Sequence, residues 1–504
     1  MEFTVDKQTI HTKQETKTEV LEHPLDSEAV LPDYCPDIAR ILKCRANPVI
    51  TAKRLADGGG VLEGTVLTEV LYADAKGELI TFAQSVPLYH EISAPDGVDF
   101  CAVAVKMQYC NCRATEARKV EIHGAVGIKV NYYSNRENRL VIGAQGKGVE
   151  ILSCNQAVAT LVVHTEKSVT VGDEIPVASG SVRRILHTRA EAHNIEYKVV
   201  SGRCVVKGEI VLQALYQNTE CRYETLRGQI PFSQIVEADG LEEGDICQIT
   251  VLVLTTELRP RTGLDGECKN VAVTSDVLVT LSGYRSLELP LVTDGYSTQC
   301  GIGIRRCNGE IITSVQQYNE NYTAKGQLDV GRELSVVLEC CCSPDVSRVQ
   351  LDEHRLTIHG TLQCELLGLD IEGQPIFVDK SLDFIWEKEV ADDLSNCNFE
   401  SQVTVQKESF TLIGGSELEL RVQLDVQIAA FCSLMIEPVT DLVLDPSVSP
   451  EVVGVPLVLY YAKAGERLFD IARRYNTTAR AVCEANELTE QTLSRQKALI
   501  IPIS

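Results

Sequence analysis

A heptapeptide that occurs twice limits this chain's fold more than any other feature. RILKCRA (Arg40–Ala46) returns as RILHTRA (Arg184–Ala190), at an offset of 144 residues. The same offset carries Gly64 to Gly208, Leu71-Tyr72 to Leu215-Tyr216, and Pro87 to Pro231. Four matches at one unbroken offset define a duplication, and an internal period constrains architecture before local propensity does. A third copy is fainter. LTIHGTLQCELLG (Leu356–Gly368) aligns with CVVKGEIVLQALY when Gly360 takes the place of Gly208. Leu367 then falls on Leu215 and Phe384 on Phe232, while Gly368 replaces the tyrosine.

Each copy has strand grammar. VLEGTVLTEVLYA, KVEIHGAVGIKVNYY, GEIVLQALYQ, DVLVTLSGYR and SELELRVQLDVQIAAF alternate apolar and polar residues and are rich in Val, Thr and Tyr. That pattern suits half-buried strands. Glycine inside them marks a bulge or a close backbone approach, and Asp57-Gly58 and Asp265-Gly266 read as turns. At 504 residues the chain is too long for one ordinary core. The expected fold is mainly β: three tandem antiparallel β-rich units at 1–150, 151–298 and 299–445, then a small α+β module. Sandwich and barrel both fit the pattern.

DPSVSPEVVGVP contains three prolines and no periodicity, so residues 446–456 read as a linker. The grammar changes after it. VLYYAK is a short strand and Ala464-Gly465 a turn. Leu468, Ile471, Ala472 and Tyr475 share one helical face. Thr478 is placed to cap a second helix that carries Ala479, Val482 and Cys483 inward and ends near Asn486. ALIIPI closes a strand–helix–helix–strand module over 457–504.

The formal net charge is −24. From Val455 onward, seven Lys/Arg face five Asp/Glu, so the tail is +2 and the body −26. An acidic field of that size repels phosphate backbones, so nucleic acid is not the expected partner. The N-terminal residues lack a secretory h-region, and Val452–Ala462 is too short and too interrupted to span a bilayer. A cytoplasmic protein is therefore expected, with its nineteen scattered cysteines reduced and many of them buried.

Two clusters invite chemistry. Cys110-Asn111-Cys112 and Cys340-Cys341-Cys342 have His123 and His354 within fifteen residues, but paired C-x₂₋₄-C zinc spacing is missing. Cys110 and Cys112 read as a packed pair on one strand face. In Pro32-Asp33-Tyr34-Cys35-Pro36-Asp37 the carboxylates could suggest acid–base work. The plainer account has the prolines extending the chain and Asp37 capping a helix-like IARIL segment. With no G-x-S-x-G, P-loop, H-E-x-x-H or Rossmann pattern, no catalytic residue, metal or cofactor is expected.

The tail resembles a LysM domain, a βααβ module that commonly binds N-acetylglucosamine polymers such as peptidoglycan. Matching positions include Tyr461, Lys463, Gly465, Glu466, Leu468, Ile471, Ala472, Arg474, Tyr475, Asn486, Leu488, Leu499, Ile501 and Pro502. The body, with LPDYCPDIARIL and its G-x-x-x-x-x-L-Y strands, resembles the SPOCS family. Tandem SPOCS units followed by a LysM are similar to the SipL-type spore-coat morphogenetic proteins of clostridia. The resemblance implies a role on the mother-cell face of the forespore, tying a coat basement layer built on a morphogenetic ATPase to the forespore surface.

It also implies a ligand groove formed by Gly465, Glu466, Arg467, Leu468, Phe469, Asn486, Leu488, Arg495 and Gln496. Glycan-binding members usually carry Gly-Asp-Thr/Ser-Leu-Trp/Tyr in the first loop, where this chain has Gly-Glu-Arg-Leu-Phe. The second loop often carries Pro-Gly-Gln, and here it reads Ser494-Arg495-Gln496. Two arginines suit protein carboxylates better than a neutral sugar. The expected function is a non-enzymatic scaffold that docks a protein partner through its LysM; the alternative is peptidoglycan binding. A Pro-containing linker would let the LysM reach its partner semi-independently.

Overall fold

A computed structural model describes residues 3–56, 58–177, 181–263, 267–390, 394–449 and 455–503. Asp57, the Asp265-Gly266 pair and residues 450–454 of the expected linker lie outside the described residues.

The first unit has six strands: β1 (Thr4–Val30), β2 (Arg40–Ala56), β3 (Gly59–Ala73), β4 (Leu79–Ile92), β5 (Phe100–Glu116) and β6 (Lys119–Gln145). β2-β3-β4 form an antiparallel meander, and β1-β6-β5 form a second sheet in which the first strand pairs with the last. The two sheets face each other across Leu25, Leu62, Val66, Val70, Leu88, Val120, Ile122 and Ile128. Each unit is thus a sandwich, which the alternation alone left open.

The second unit repeats this order with β7 (Val149–Pro176), β8 (Val182–Val200), β9 (Arg203–Asn218), β10 (Tyr223–Glu237), β11 (Ile246–Arg261) and β12 (Asn270–Ser297). Its sheets are β8-β9-β10 and β7-β12-β11. A short strand β13 (Gly301–Arg306) precedes the third unit. That unit comprises β14 (Gly309–Asp329), β15 (Leu334–Asp352), β16 (Arg355–Asp370), β17 (Pro375–Glu389), β18 (Cys397–Ile413) and β19 (Glu417–Ile436). Its sheets are β15-β16-β17 and β14-β19-β18, and β20 (Val439–Asp445) returns to pair with β13. The faint third copy therefore has the strand order of the other two.

Register explains why the copies kept a glycine. Gly64, Gly208 and Gly360 lie opposite Leu88, Phe232 and Phe384 on the meander's third strand. On the other side the first strand carries a bulge at Ile50/Ala52, His193/Glu196 and Val346/Arg348. A side chain there would strike the Val49 carbonyl in the first copy and the Phe232 or Phe384 ring in the others. The glycine is a close-approach position, and the bulge bends the strand over it.

The units close into a ring. β4 of the first packs on β8 of the second, β10 of the second on β15 of the third, and β17 of the third on β2 of the first. Leu42, Leu186 and Leu338 occupy one equivalent position, and Leu71, Leu215 and Leu367 another; all six meet in one apolar cluster. The repeated heptapeptide lies on the strand that forms this junction. A second three-unit cluster joins Ile10, Leu140, Val158, Leu289, Leu291 and Ile311. The long strands β1, β6, β7 and β12 reach it by extending past their own sandwiches.

Two local expectations change. IARIL is not helical: Arg40 opens β2, and Asp37 pairs with Arg118 at 3.0 Å rather than capping a helix. Arg118 also donates to the carbonyls of Pro32 and Cys35, while the Tyr72 hydroxyl donates to Pro36. The Pro32–Asp37 turn is held by these side-chain bonds to its backbone carbonyls. The expectation of reduced thiols throughout is corrected at one site, because Cys397 and Cys432, register partners on β18 and β19, form a disulfide. Seventeen other cysteines are free.

Candidate functional site

The tail folds as β21 (Leu457–Ala462), α1 (Leu468–Arg474), α2 (Ala479–Asn486) and β22 (Lys497–Pro502). The two strands pair antiparallel. Leu468, Ile471, Ala472, Val482, Leu499 and Ile501 are buried between ribbon and helices. Thr478 caps α2 by accepting from the Ala481 N–H at 3.1 Å. Gly465 sits at φ +88, a left-handed turn that glycine tolerates, and donates to the Leu493 carbonyl. Leu493 donates back to Glu466, and Leu468 to Gln491, so the two loops expected to line a groove are stitched together.

The nine groove candidates divide by role. Leu468 is fully buried and Leu488 packs against the same core. Asn486 ties α2 to β22, donating to the Ile500 carbonyl and accepting from the Ile500 N–H at 2.7 Å. Glu466 accepts from the Lys463 N–H and the Tyr460 hydroxyl, which hold its carboxyl below the usual range. Arg467, Arg495 and Gln496 remain at the surface, alongside the Gly465 turn. Arg467 forks onto Asp470 at 2.7 and 3.1 Å, so its charge is already engaged within its own helix.

Phe469 is buried against Tyr296 of β12, with ring centroids 5.1 Å apart. Around it the Tyr296 hydroxyl donates to the Thr477 carbonyl, Arg473 pairs with Asp294 at 2.8 Å, and Asn476 donates to Thr298. Burial pushes the Glu150 carboxyl up, partly offset by a bond from the Ala479 N–H. The LysM module is therefore seated on the end of the second unit, and the expectation of semi-independent reach is replaced by a packed contact. Sequence reasoning missed Tyr296 and Asp294 because their role appears only when β12 is seen to run past its sandwich.

Elsewhere, a cavity of about 1020 Å³ opens between the three units, lined among others by Lys13, Tyr133, Gln248, Tyr284, Asn398 and Glu400. Lys13 pairs with Glu400 at 3.1 Å and lies over the Tyr133 ring. Its one cysteine, Cys247, is held up as a thiol by Cys204 and by burial.

At the opposite junction, charges meet across units. Arg45 reaches Glu365 at 2.7 Å, Arg189 reaches Glu408 at 2.8 Å, and His187 Nδ1 lies 3.0 Å from Glu339. Burial would raise the Glu339 carboxyl, but His187 and Arg45 hold it below its ordinary value. Burial and then the Glu339 charge push the Cys341 thiol up. Among the described residues, His187, Glu339 and Cys341 are the one group of three placed to hold a metal ion. The sequence had singled out Cys341 but set His354 beside it rather than His187; in its other cluster, His123 pairs with Asp26 at the surface, and Cys110 touches Cys44 at 3.4 Å inside the first core.

Comparison with known families matches the SipL, SPOCS domain to residues 37–115 and 181–259, and the LysM domain to 460–502. Each SPOCS match begins just before a meander and ends on the strand that follows it. No curated protein and no solved structure matches the chain. With two SPOCS copies built into its ring and a βααβ module seated on the second, the chain carries two SPOCS domains and a C-terminal LysM domain.

Proposed function

We propose that this protein is a non-enzymatic scaffold of endospore coat assembly. In this reading its LysM domain docks a protein partner, the morphogenetic ATPase of the coat's basement layer, on the mother-cell side of the forespore surface. The SPOCS and LysM matches support a sporulation role. The observation that carries the docking is on the ribbon. Leu457, Leu459 and Tyr461 of β21 are each more than half exposed, with Ile500 beside them. At the end of that face, Lys463, Arg495 and Lys497 make no ion pair among the described residues. An apolar strip ending in free cations fits an apolar protein surface flanked by carboxylates.

Peptidoglycan binding is the second reading, favoured by the LysM match itself. Against it, the aromatic of the first loop is turned onto Tyr296, where it is unavailable to stack on a sugar. Full-length protein is the right reagent, since the LysM is seated on the body. Purified basement-layer ATPase should retain it, and the triple variant Lys463→Glu, Arg495→Glu, Lys497→Glu should bind about tenfold more weakly or worse. Co-sedimentation with purified peptidoglycan, together with unchanged ATPase affinity in the triple variant, would favour the wall reading instead.

A further inference from the structure

The three repeats place one residue each at two equivalent positions near the ring's closure. Lys43, His187 and Glu339 lie opposite Leu71, Leu215 and Leu367, the same leucine in each copy. Two residues on, Arg45, Arg189 and Cys341 share the next outward step of the strand. A duplicated ancestor would have presented one residue type three times. In this chain the positions have diverged to an ammonium, an imidazole and a carboxylate in one layer, and to two guanidiniums and a thiol in the other.

We propose that His187, Glu339 and Cys341 bind one divalent transition-metal ion of the zinc class, and so pin the second unit to the third. Their ligand atoms all lie within 4.8 Å of one another. Zinc holds nitrogen, oxygen and sulfur at about 2.0–2.3 Å, which sets donors roughly 3.3–3.7 Å apart around a tetrahedron. The donors are thus within about 1 Å of that spacing, and His187 Nδ1 and both Glu339 oxygens are already 3.0 Å apart. Glu339 is 3% exposed and Cys341 8%, so water competes weakly for the ion. A mixed nitrogen, sulfur and oxygen set selects zinc-like ions over magnesium or calcium.

The two arginines nearby do not repel the ion as bare charges. Arg45 is held by Glu365, Arg189 by Glu191 and Glu408, and Lys43 by Glu365 and Asp379. Counting Glu339, five carboxylates face three cations, and the Cys341 thiolate brings the excess to three negative charges, two of which a divalent ion offsets. On binding, the Cys341 S–H proton leaves to solvent and the thiolate joins the metal. The proton that His187 Nδ1 shares with Glu339 is given up and the ring keeps its N–H at Nε2, so the Nδ1 lone pair and the Glu339 carboxylate fill two further positions, and a fourth is left for water. Zinc-spacing motifs could not reveal the set, because its ligands come from two units 152 residues apart.

The proposal is tested on full-length, reduced protein. Wild type equilibrated with Zn²⁺ and then dialysed should retain one more equivalent of zinc than Cys341→Ser or His187→Gln; other cysteines contribute equally to all three. Co²⁺ should give wild type a thiolate-to-cobalt absorption band that Cys341→Ser lacks and His187→Gln weakens. Zn²⁺ should raise the thermal midpoint of wild type and leave that of His187→Gln in place. Equal zinc content in wild type and His187→Gln, with identical cobalt spectra, overturns the site. If Cys341→Ser does not fold, the comparison with the less buried His187→Gln decides it alone.

Discussion

Arg189 and Arg473 each bridge two parts of the molecule, and they do so in opposite surroundings. Arg189 has a side chain 19% exposed and holds Glu191, Glu408 and the Cys342 carbonyl where the second unit meets the third. Arg473 is 50% exposed and holds one carboxylate, Asp294, where the LysM meets the second unit. The ring is joined by desolvated charges and leucines, so its geometry is over-determined. The LysM is joined chiefly by one aromatic pair, with a single ion pair, Arg473–Asp294, at the rim among the described residues. The first contact fixes a platform, and the second sets a module on it that keeps most of its own surface.

Five measurements would break or sharpen this contrast. Arg189→Ala leaves two carboxylates near the junction without their cation and should cost about 3–5 kcal/mol. Denaturant unfolding followed through Trp386, the single tryptophan and a buried member of the third core, reads that loss directly. Tyr296→Ala should weaken LysM seating by about 3 kcal/mol. Limited proteolysis should then release the module faster, while the Trp386 transition stays put; a shift in that transition would merge the two regions into one cooperative unit. Gly64→Ala drives a methyl group into the Val49 carbonyl and should cost about 2 kcal/mol in the first unit.

Acid should loosen the ring. Burial would raise the Glu365 carboxyl, but Arg45 and Lys43 hold it below its ordinary value of 4.5. A carboxylate depressed in the folded state contributes stability above its unfolded pKa and loses it as pH falls through the folded one. Unfolding midpoints should therefore drop below about pH 4.5, and less so in Glu365→Gln. Smallest of all, Arg473→Ala removes a half-exposed pair and should change LysM release by about 0.5 kcal/mol. A loss as large as that of Tyr296→Ala would show that the rim pair, not the aromatic contact, seats the module.

Much of this was readable before the fold. Period and alternation carried the units, because Gly64, Gly208 and Gly360 each answer the same local crowding. The helical face from Leu468 and the Thr478 cap carried the LysM, since both are set within a few residues. What stayed hidden depends on distance along the chain. Phe469 reads as a groove aromatic until Tyr296 is beside it, and IARIL reads as a helix until β3 pairs with it. His187 and Glu339 look unremarkable singly; only superposing the repeats shows that they share a position. Disulfide pairing was hidden for the same reason, as Cys397 and Cys432 become neighbours only through the β18–β19 register.

Ring closure also sets an order on biosynthesis. β1 cannot pair until β6 has emerged, and the Lys43–Asp379 contact joins residues 336 apart in sequence. During translation the first and second units are complete while Leu42, Leu71, Leu186 and Leu215 still lack the third-unit leucines that cover them. Contacts of such long separation form slowly, and uncovered apolar edges attract copies of themselves. A nascent chain would be most exposed to exchanging its third unit with a neighbour in that interval. Chains truncated after the second unit should therefore collect into oligomers, and supplying the third unit as a separate polypeptide should disperse them.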